Sequence, residues 1–480
     1  MGAVKLAGLE PASVYAYFEE ICAIPHGSGN IRAISDYLVS FAKKQGLRYV
    51  QDDCGNVILF QEGTCGYEEH APVILQGHMD MVCQKEADCP IDMQSQGLDV
   101  TCEDGFVFAK GTTLGADDGI AVAYALAILA DKTIPHPPLE VVITVDEETG
   151  MLGAEKIDLS CLKGRRLINI DSEDEGTFTV SCAGGARAEI SFPVTRQPVY
   201  GPCVQLTVDG LRGGHSGVEI QKNLANANKV MGQLLDRIQS CMPIRLTAFS
   251  GGDKDNAIPR SCRATLVVLG LEPEKINEIA AQLQEQIRTQ YDEPDATVSG
   301  ENVEALGGNA LTQEQTQTVI TLLCDAPNGV LKMSEDIPGL VQTSLNLGIA
   351  ALDSQMCCIF CVRSNRGAEK DELLQKLQAL AERVGGQYAQ YGTYPAWEYR
   401  KDSPLRDTMV RVFSKMYGKD PEVVAIHAGL ECGLLGEKLP GLDCVSMGPD
   451  LLDIHTTRER FSVESVNRTW QYLLALLKEL

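Results

Sequence analysis

Residues 71–82 read APVILQGHMDMV, an apolar run that breaks into His78 and Asp80. Two later stretches have the same form, PPLEVVITVDEE at 137–148 and RRLINIDSED at 165–174. In each, Val, Ile and Leu follow one another almost without alternation, the pattern of strands buried on both faces. Helices must then supply the cover. GIAVAYALAILAD at 119–131 carries Ala and Leu at helical density, and Pro135, Pro137 and Pro138 end it before the next strand. This part of the chain therefore predicts an α/β fold with a mostly parallel central sheet flanked by helices.

The character changes at 182–202, CAGGARAEISFPVTRQPVYGP, where glycines and prolines mark a boundary. Beyond it VQLTVDGLRGGHSG alternates like a half-buried strand. Two amphipathic helices follow, LANANKVMGQLLDRIQS at 224–240 and PEKINEIAAQLQEQIRTQY at 273–291, then strands QTSLNLGIAAL and MCCIFCVRSN, then the helix ELLQKLQALAERVGG. An α+β domain is expected, closing near GTYPAWEY at 392–399, with helix, loop and a final helix in the tail. At 480 residues the chain exceeds the size of one hydrophobic core, so several segments are expected: 1–185, an inserted 186–395, and 396–480.

Composition narrows the function. With 66 acidic against 41 basic residues the formal charge is −25, which repels phosphate backbones and anionic lipid surfaces, so neither nucleic acid nor membrane is an expected partner. The 17 cysteines show no repeated spacing, which points to a reducing, cytoplasmic compartment. Cys357, Cys358 and Cys361 lie in an apolar, strand-like run and read as small core residues. The N-terminal stretch is interrupted by Glu10, Glu19 and Glu20 and lacks a signal-peptide core, and nowhere do 18 apolar residues run together.

The polar residues at strand ends carry the chemistry. His78 and Asp80, Glu147 and Glu148, and Asp171 each follow a buried strand, and in open α/β sheets ligands bind beyond the carboxyl ends of the strands. Asp117, in GTTLGADDGIAV, stands just before a helix. Taken singly each has an ordinary explanation: helix capping for Asp117 and Asp118, solvated loops for the rest. Together they form a site whose negative charge needs cations. Imidazole with several carboxylates and no thiolate suits zinc, with manganese or cobalt as substitutes. Two such ions roughly 3.5–4 Å apart would activate water and polarise a carbonyl. Of the adjacent Glu147 and Glu148, one would ligate and the other move a proton. Asp80 would accept the proton of the second nitrogen of His78 and fix its tautomer.

The segments ICAIPHGSGN, ILQGHMDMV, LGADDGIAVA, VDEETGMLGA, LINIDSED, GGHSG, DNAIPR, HAGLECG and MGPDLLDIHTTRERF together resemble the dinuclear zinc exopeptidases that include aminoacylases, carnosinases and bacterial aminoacyl-histidine dipeptidases. The resemblance implies two divalent ions, zinc in the first place. One would be held by His78, Asp117 and Asp171 and the other by Asp117, Glu148 and His455, with Asp117 as the bridge and a cis bond to Asp118. Glu147 becomes the general acid/base and Asp80 the residue that orients His78. The inserted segment becomes a lid, in which His215 supports the oxyanion while Asn256 and Arg363 contact substrate; an arginine fork suits a dipeptide's terminal carboxylate. His427 borders the substrate pocket, with Glu431 beside it, whereas His26, His70 and His136 are structural or exposed. The implied reaction is hydrolysis of unblocked dipeptides, of the Xaa-His type. The alternatives are an N-acyl amino-acid deacylase of the same family and a non-catalytic peptide-binding relative. The simplest members dimerise through the lid; the doubled lid here leaves open a homodimer or a single chain that supplies its own second half.

Overall fold

A computed structural model describes residues 5–269 and 274–480; Pro273, at the start of the second expected amphipathic helix, lies outside them. The chain divides into two compact units. The first comprises Met1–Ser181, Tyr399–Ala425 and Leu430–Leu480; the second comprises Cys182–Glu398 with Ile426–Gly429. Residues 426–429, which include His427, thus group with the second unit although the sequence places them in the closing segment.

The first unit is built on an eight-stranded mixed sheet among the described residues. Its order is Arg48–Gln51, Val57–Gln61, Leu139–Thr144, Val73–His78, Arg166–Asn169, Asp443–Ser446, Thr177–Cys182, Glu422–Ile426. Leu139–Thr144, Val73–His78, Arg166–Asn169 and Asp443–Ser446 run parallel, and antiparallel pairs extend the sheet from either side. Every residue of Val73–His78 and Leu139–Thr144 is buried, Gln76, His78, Glu140 and Thr144 included, as their largely apolar runs lead one to expect of strands covered on both faces. The helix Ala116–Ala130 is buried from Ala116 to Leu129, and Ala12–Cys22 packs against it. Its approach to the sheet depends on Gly77, where a Cβ would stand 2.3 Å from Asp118 Oδ2 and 2.8 Å from Ala121 Cβ. A helix buried all round has no polar face to offer, so it can only be a central element.

Register then sets the site. Gln76, Gly77 and His78 pair with Val142, Ile143 and Thr144, and Gln76 pairs with Asn169. The three parallel strands therefore stop side by side, and the segments bearing Asp80, Glu147, Glu148 and Asp171 leave from one edge. A smaller antiparallel sheet joins Leu451–Leu452, Arg460–Ser462, Phe106–Ala109 and Val100–Glu103, and His455 lies in the connection between its first two strands.

The second unit is α+β. Its nine-stranded antiparallel sheet runs Thr297–Leu311, Arg196–Asp209, Cys262–Val268, Ile244–Gly251, Val341–Leu352, Gln355–Ser364, Gly184–Pro193, Gln387–Tyr394, with Gly329–Met333 also paired to Val341–Leu352. Helices Ala227–Cys241, Glu274–Tyr291 and Gly367–Arg383 match the expected ones. A further helix, Gln313–Asp325, is absent from the sequence expectation: its Thr, Val and Ile content gives weak helix propensity, yet Thr312 caps it and it buries Val319, Ile320, Leu322 and Leu323. Each such apolar side chain contributes about 1.5–3 kcal/mol on burial. Cys357, Cys358 and Cys361 lie along Gln355–Ser364 as free thiols.

Candidate metal centre

His78 ends its strand fully buried, and its Nε2 stands 3.1 Å from Asp117 Oδ1 and 3.7 Å from Asp171 Oδ1. The other oxygen of Asp117, Oδ2, is 3.1 Å from His455 Nε2, which is 2.8 Å from Glu148 Oε1. Asp117 therefore turns one oxygen toward each imidazole. Two groups of donor atoms lie within 4.8 Å of one another, His78 with Asp117 and Glu148, and His78 with Asp118 and Asp171. None among the described residues includes a cysteine.

The backbone makes this possible. Asp117 and Asp118 sit in the first turn of the helix with non-helical dihedrals (φ −83°, ψ 102° and φ −117°, ψ 29°), and the bond between them is cis. Glu459, which the sequence does not mark out, holds that turn: its carboxylate accepts from the N–H groups of Leu114 (2.8 Å), Gly115 (3.2 Å), Ala116 (2.7 Å) and Asp117 (3.5 Å). Because Glu459 follows His455 closely in the chain, one carboxylate ties the Asp117 turn to the His455 loop. His455 itself has φ 60°, a left-handed conformation that costs a non-glycine residue of order 1 kcal/mol and persists where surroundings enforce it.

Residue 80 organises the other side. His78 Nδ1 lies 3.0 Å from the main-chain oxygen of Asp80 and 3.5 Å from its carboxylate Oδ1, so residue 80 faces that nitrogen chiefly through its backbone. This favours the proton on Nδ1 and leaves Nε2 as the donor toward a metal. The Asp80 carboxylate makes shorter bonds elsewhere, accepting from Ser28 Oγ (2.7 Å), Glu147 N (3.0 Å) and Glu148 N (3.4 Å). It thereby anchors the turn that presents both glutamates. Asp118 contributes from beneath, accepting from His78 N at 3.2 Å. Its adjacency to Asp117 was the one sequence signal for it.

The electrostatics are those of a nest short of positive charge. Burial would lower the proton affinity of His78, but hydrogen bonds to Asp117, Asp171 and Asp80 raise it well above the usual imidazole range. His455 is pushed up to about 10 by Asp117 and then Glu148. Burial lifts Asp171 to about 6 and, with the neighbouring carboxylates, holds Glu147 well above the usual carboxylate range. Asp117 goes the other way: against its burial, His455 and His78 hold it far below. So many buried carboxylates around two imidazoles are stable only when cations or protons balance them. Two imidazoles and several carboxylate oxygens, without thiolate, fit zinc or a similar divalent ion.

The other candidates lie in the second unit. His215, on the short strand Gly214–His215, pairs with Ala257 beside Asn256, whose carbonyl accepts from Ser216 N at 2.9 Å. His215 Nδ1 accepts from Gly217 N and Val218 N, both at 3.2 Å, which places its proton on Nε2. Arg363 is buried and donates through Nη1 to Tyr394 Oη at 3.1 Å. Burial, and next the Arg363 charge, lower His215 and bring His427 down to about 3. His215, Arg363 and His427 thus share one neighbourhood. Both nitrogens of His427 are engaged, with Ser344 Oγ (2.7 Å) and Asn365 Oδ1 (3.1 Å). Among the remaining histidines, His26 and His136 are buried against main-chain oxygens of Ile24 (2.6 Å) and Pro137 (2.7 Å), and His70 is exposed.

Known proteins carry the same architecture. The cytosol non-specific dipeptidase of Escherichia coli (strain K12) is 36% identical over 484 residues, covering 99% of this chain and 99% of its own. The crystal structure of aminoacylhistidine dipeptidase from Vibrio alginolyticus matches with a TM-score of 0.94 at 36% identity, over 99% of this chain and 98% of that one. Aminopeptidase PepT from Bacillus cereus, at 16% identity, TM-score 0.56 and coverage of 98% and 99%, shares the fold alone. Residues 74–479 match the sequence profile of the peptidase family M20/M25/M40, and to that family the chain belongs.

Proposed function

We propose that the chain is a metal-dependent dipeptidase acting on unblocked dipeptides, Xaa-His among them, with two divalent ions, zinc in the first place and manganese or cobalt as substitutes. The observation that carries this is the placement of the two Asp117 oxygens, each 3.1 Å from a different histidine, His78 and His455. The substrate class rests on the names of the E. coli and Vibrio relatives. We assign His78, Asp117 and Asp171 to one ion and Asp117, Glu148 and His455 to the other.

When bound, the ions supply an activated water and a polarised scissile carbonyl. The rest falls to side chains. Glu147, held in its turn by Asp80 and with its proton affinity raised by burial, takes a proton from the attacking water and returns it to the leaving amine. His215, with its proton on Nε2, donates to the developing oxyanion. Arg363 receives the terminal carboxylate and Asn256 assists in orienting the peptide. The second unit, residues 186–395 in the main, takes the part of a substrate-binding lid. The free cysteines and the relative's cytosolic designation support a cytoplasmic setting.

The test is metal content measured beside hydrolysis of β-alanyl-histidine, other free dipeptides and N-acetyl amino acids. Turnover of free dipeptides that vanishes with chelator and returns with zinc or manganese is expected. Activity confined to the acylated substrates would instead mark a deacylase. Glu147→Gln should keep both ions and lose about 10²–10⁴-fold in kcat; unchanged turnover would reject the assigned base.

A further inference from the structure

Beneath the candidate metal centre lies a buried polar chain that the mechanism does not use. Gln76, Thr144, Asn169 and Glu431 are each no more than 2% exposed. Gln76 precedes His78 on its strand, Thr144 ends the strand that leads to Glu147 and Glu148, and Asn169 ends the strand that leads to Asp171. Glu431 stands just before the short helix Cys432–Lys438. Its Oε2 accepts from Gln76 Nε2 at 2.5 Å and from Thr144 Oγ1 at 2.6 Å, and Gln76 Oε1 accepts from Asn169 Nδ2 at 2.6 Å. One carboxylate thus bonds two of the ligand-bearing strands directly and reaches the third through the Gln76 amide. The main-chain bonds Met79 N to Thr144 O and Ile170 N to Gln76 O, both 2.9 Å, continue the same ties one step nearer the ligands.

A buried carboxylate is a costly way to fill a core, since apolar side chains of the same volume pack there without desolvation cost. Its value must come from direction. Hydrogen bonds fix angle and spacing where apolar contacts tolerate sliding, and a metal site with ligands on three separate strands is sensitive to such slips. We infer that Glu431 is a positioning residue for the metal centre: through Gln76, Thr144 and Asn169 it sets the spacing of the strand ends that carry His78, Glu147 with Glu148, and Asp171. The inference rests on the reading of those residues as a metal site.

Zinc affinity measured by competition with a chromophoric chelator, and the visible absorption of the cobalt-loaded protein, give readouts independent of turnover. Glu431→Ala should weaken metal binding about 10–100-fold and shift the cobalt bands, the size usual for groups that orient ligands. Glu431→Gln, whose amide oxygen can take both donors, should restore affinity to within about threefold. Thr144→Val, which removes one donor and keeps the side chain's shape, should give a smaller loss and serves if the alanine variant does not fold. Wild-type affinity and cobalt spectrum in Glu431→Ala, or in Thr144→Val if that is the variant that folds, would overturn the inference, even with a lowered melting temperature. A wild-type protein that binds no ion would instead bring down the metal reading itself.

Discussion

Two histidines of this chain sit in opposite fields. His455, in the first unit, faces the carboxylates of Asp117 and Glu148 and is pushed up to about 10; His427, in the second, is brought down to about 3 by its burial and then by the Arg363 charge. The same side chain is driven toward opposite charge states. The first unit concentrates carboxylates on strand ends and makes a place for cations. The second buries a guanidinium and keeps the histidines around it neutral.

The contrast breaks most completely at Asp117. Asp117→Asn keeps the shape but leaves one neutral carbonyl acceptor, and an NH2 donor, where two carboxylate oxygens now face two imidazoles. We expect both ions to bind poorly and kcat/KM to fall by about 10³ or more, equivalent to at least ~4 kcal/mol of lost transition-state stabilisation. Metal analysis after dialysis, together with dipeptide turnover, checks this. Retention of both ions with full activity would remove Asp117 as the bridge.

Arg363 carries the other field. If Arg363 receives the terminal carboxylate as proposed, Arg363→Lys, which keeps the charge but loses the planar fork, would hold it by fewer hydrogen bonds. A loss of about 1.5–3 kcal/mol in binding corresponds to KM rising about 10–150-fold with kcat changed far less. Arg363→Gln goes further, and removing its charge should raise the titration midpoint of His427, which Arg363→Lys should leave low; imidazole NMR shifts distinguish the two.

A third effect lies in stability against pH. His427 has an ordinary value of 6.5 when unfolded and about 3 when folded. Its folded form binds fewer protons, so its contribution is fully present above pH 6.5 and is lost as pH falls from 6.5 toward 3. The loss is on the order of a few kcal/mol at the acid end. Urea melts of wild type and His427→Gln between pH 7 and 4 should show the wild type losing more stability on acidification. Parallel curves would mean that Arg363 and burial do not hold His427 neutral.

Much of this was legible in the chain and some was not, for physical reasons. Runs such as VVITV announce strands buried on both faces, and the polar residues that follow them announce a site, because sheet geometry forces strand ends together. His455 carries no local signal, since one histidine in a loop has an ordinary explanation, and only the resemblance singled it out. Glu459, Asp118 and Glu431 act across elements far apart in sequence, so their roles exist only once the chain has closed. The helix Gln313–Asp325 has no clear sequence signal because polar residues dilute its apolar stripe and its Thr, Val and Ile lower its propensity, which tertiary packing overrides.

That helix offers the smallest test and the one that separates stability from chemistry. Thr312 Oγ1 accepts from Gln315 N at 3.1 Å, satisfying one of the N–H groups that a helix start leaves open. Thr312→Ala removes that acceptor at a cost of about 1 kcal/mol, borne by the second unit in which the helix packs. Denaturant unfolding should shift by that amount while metal content, kcat and KM stay at wild-type values, because neither the carboxylate nest nor the Arg363 neighbourhood includes the cap. A change in metal content would mean that the two units do not divide the work as their opposed fields indicate, since loosening a helix of the second unit would then be felt at the cation site of the first.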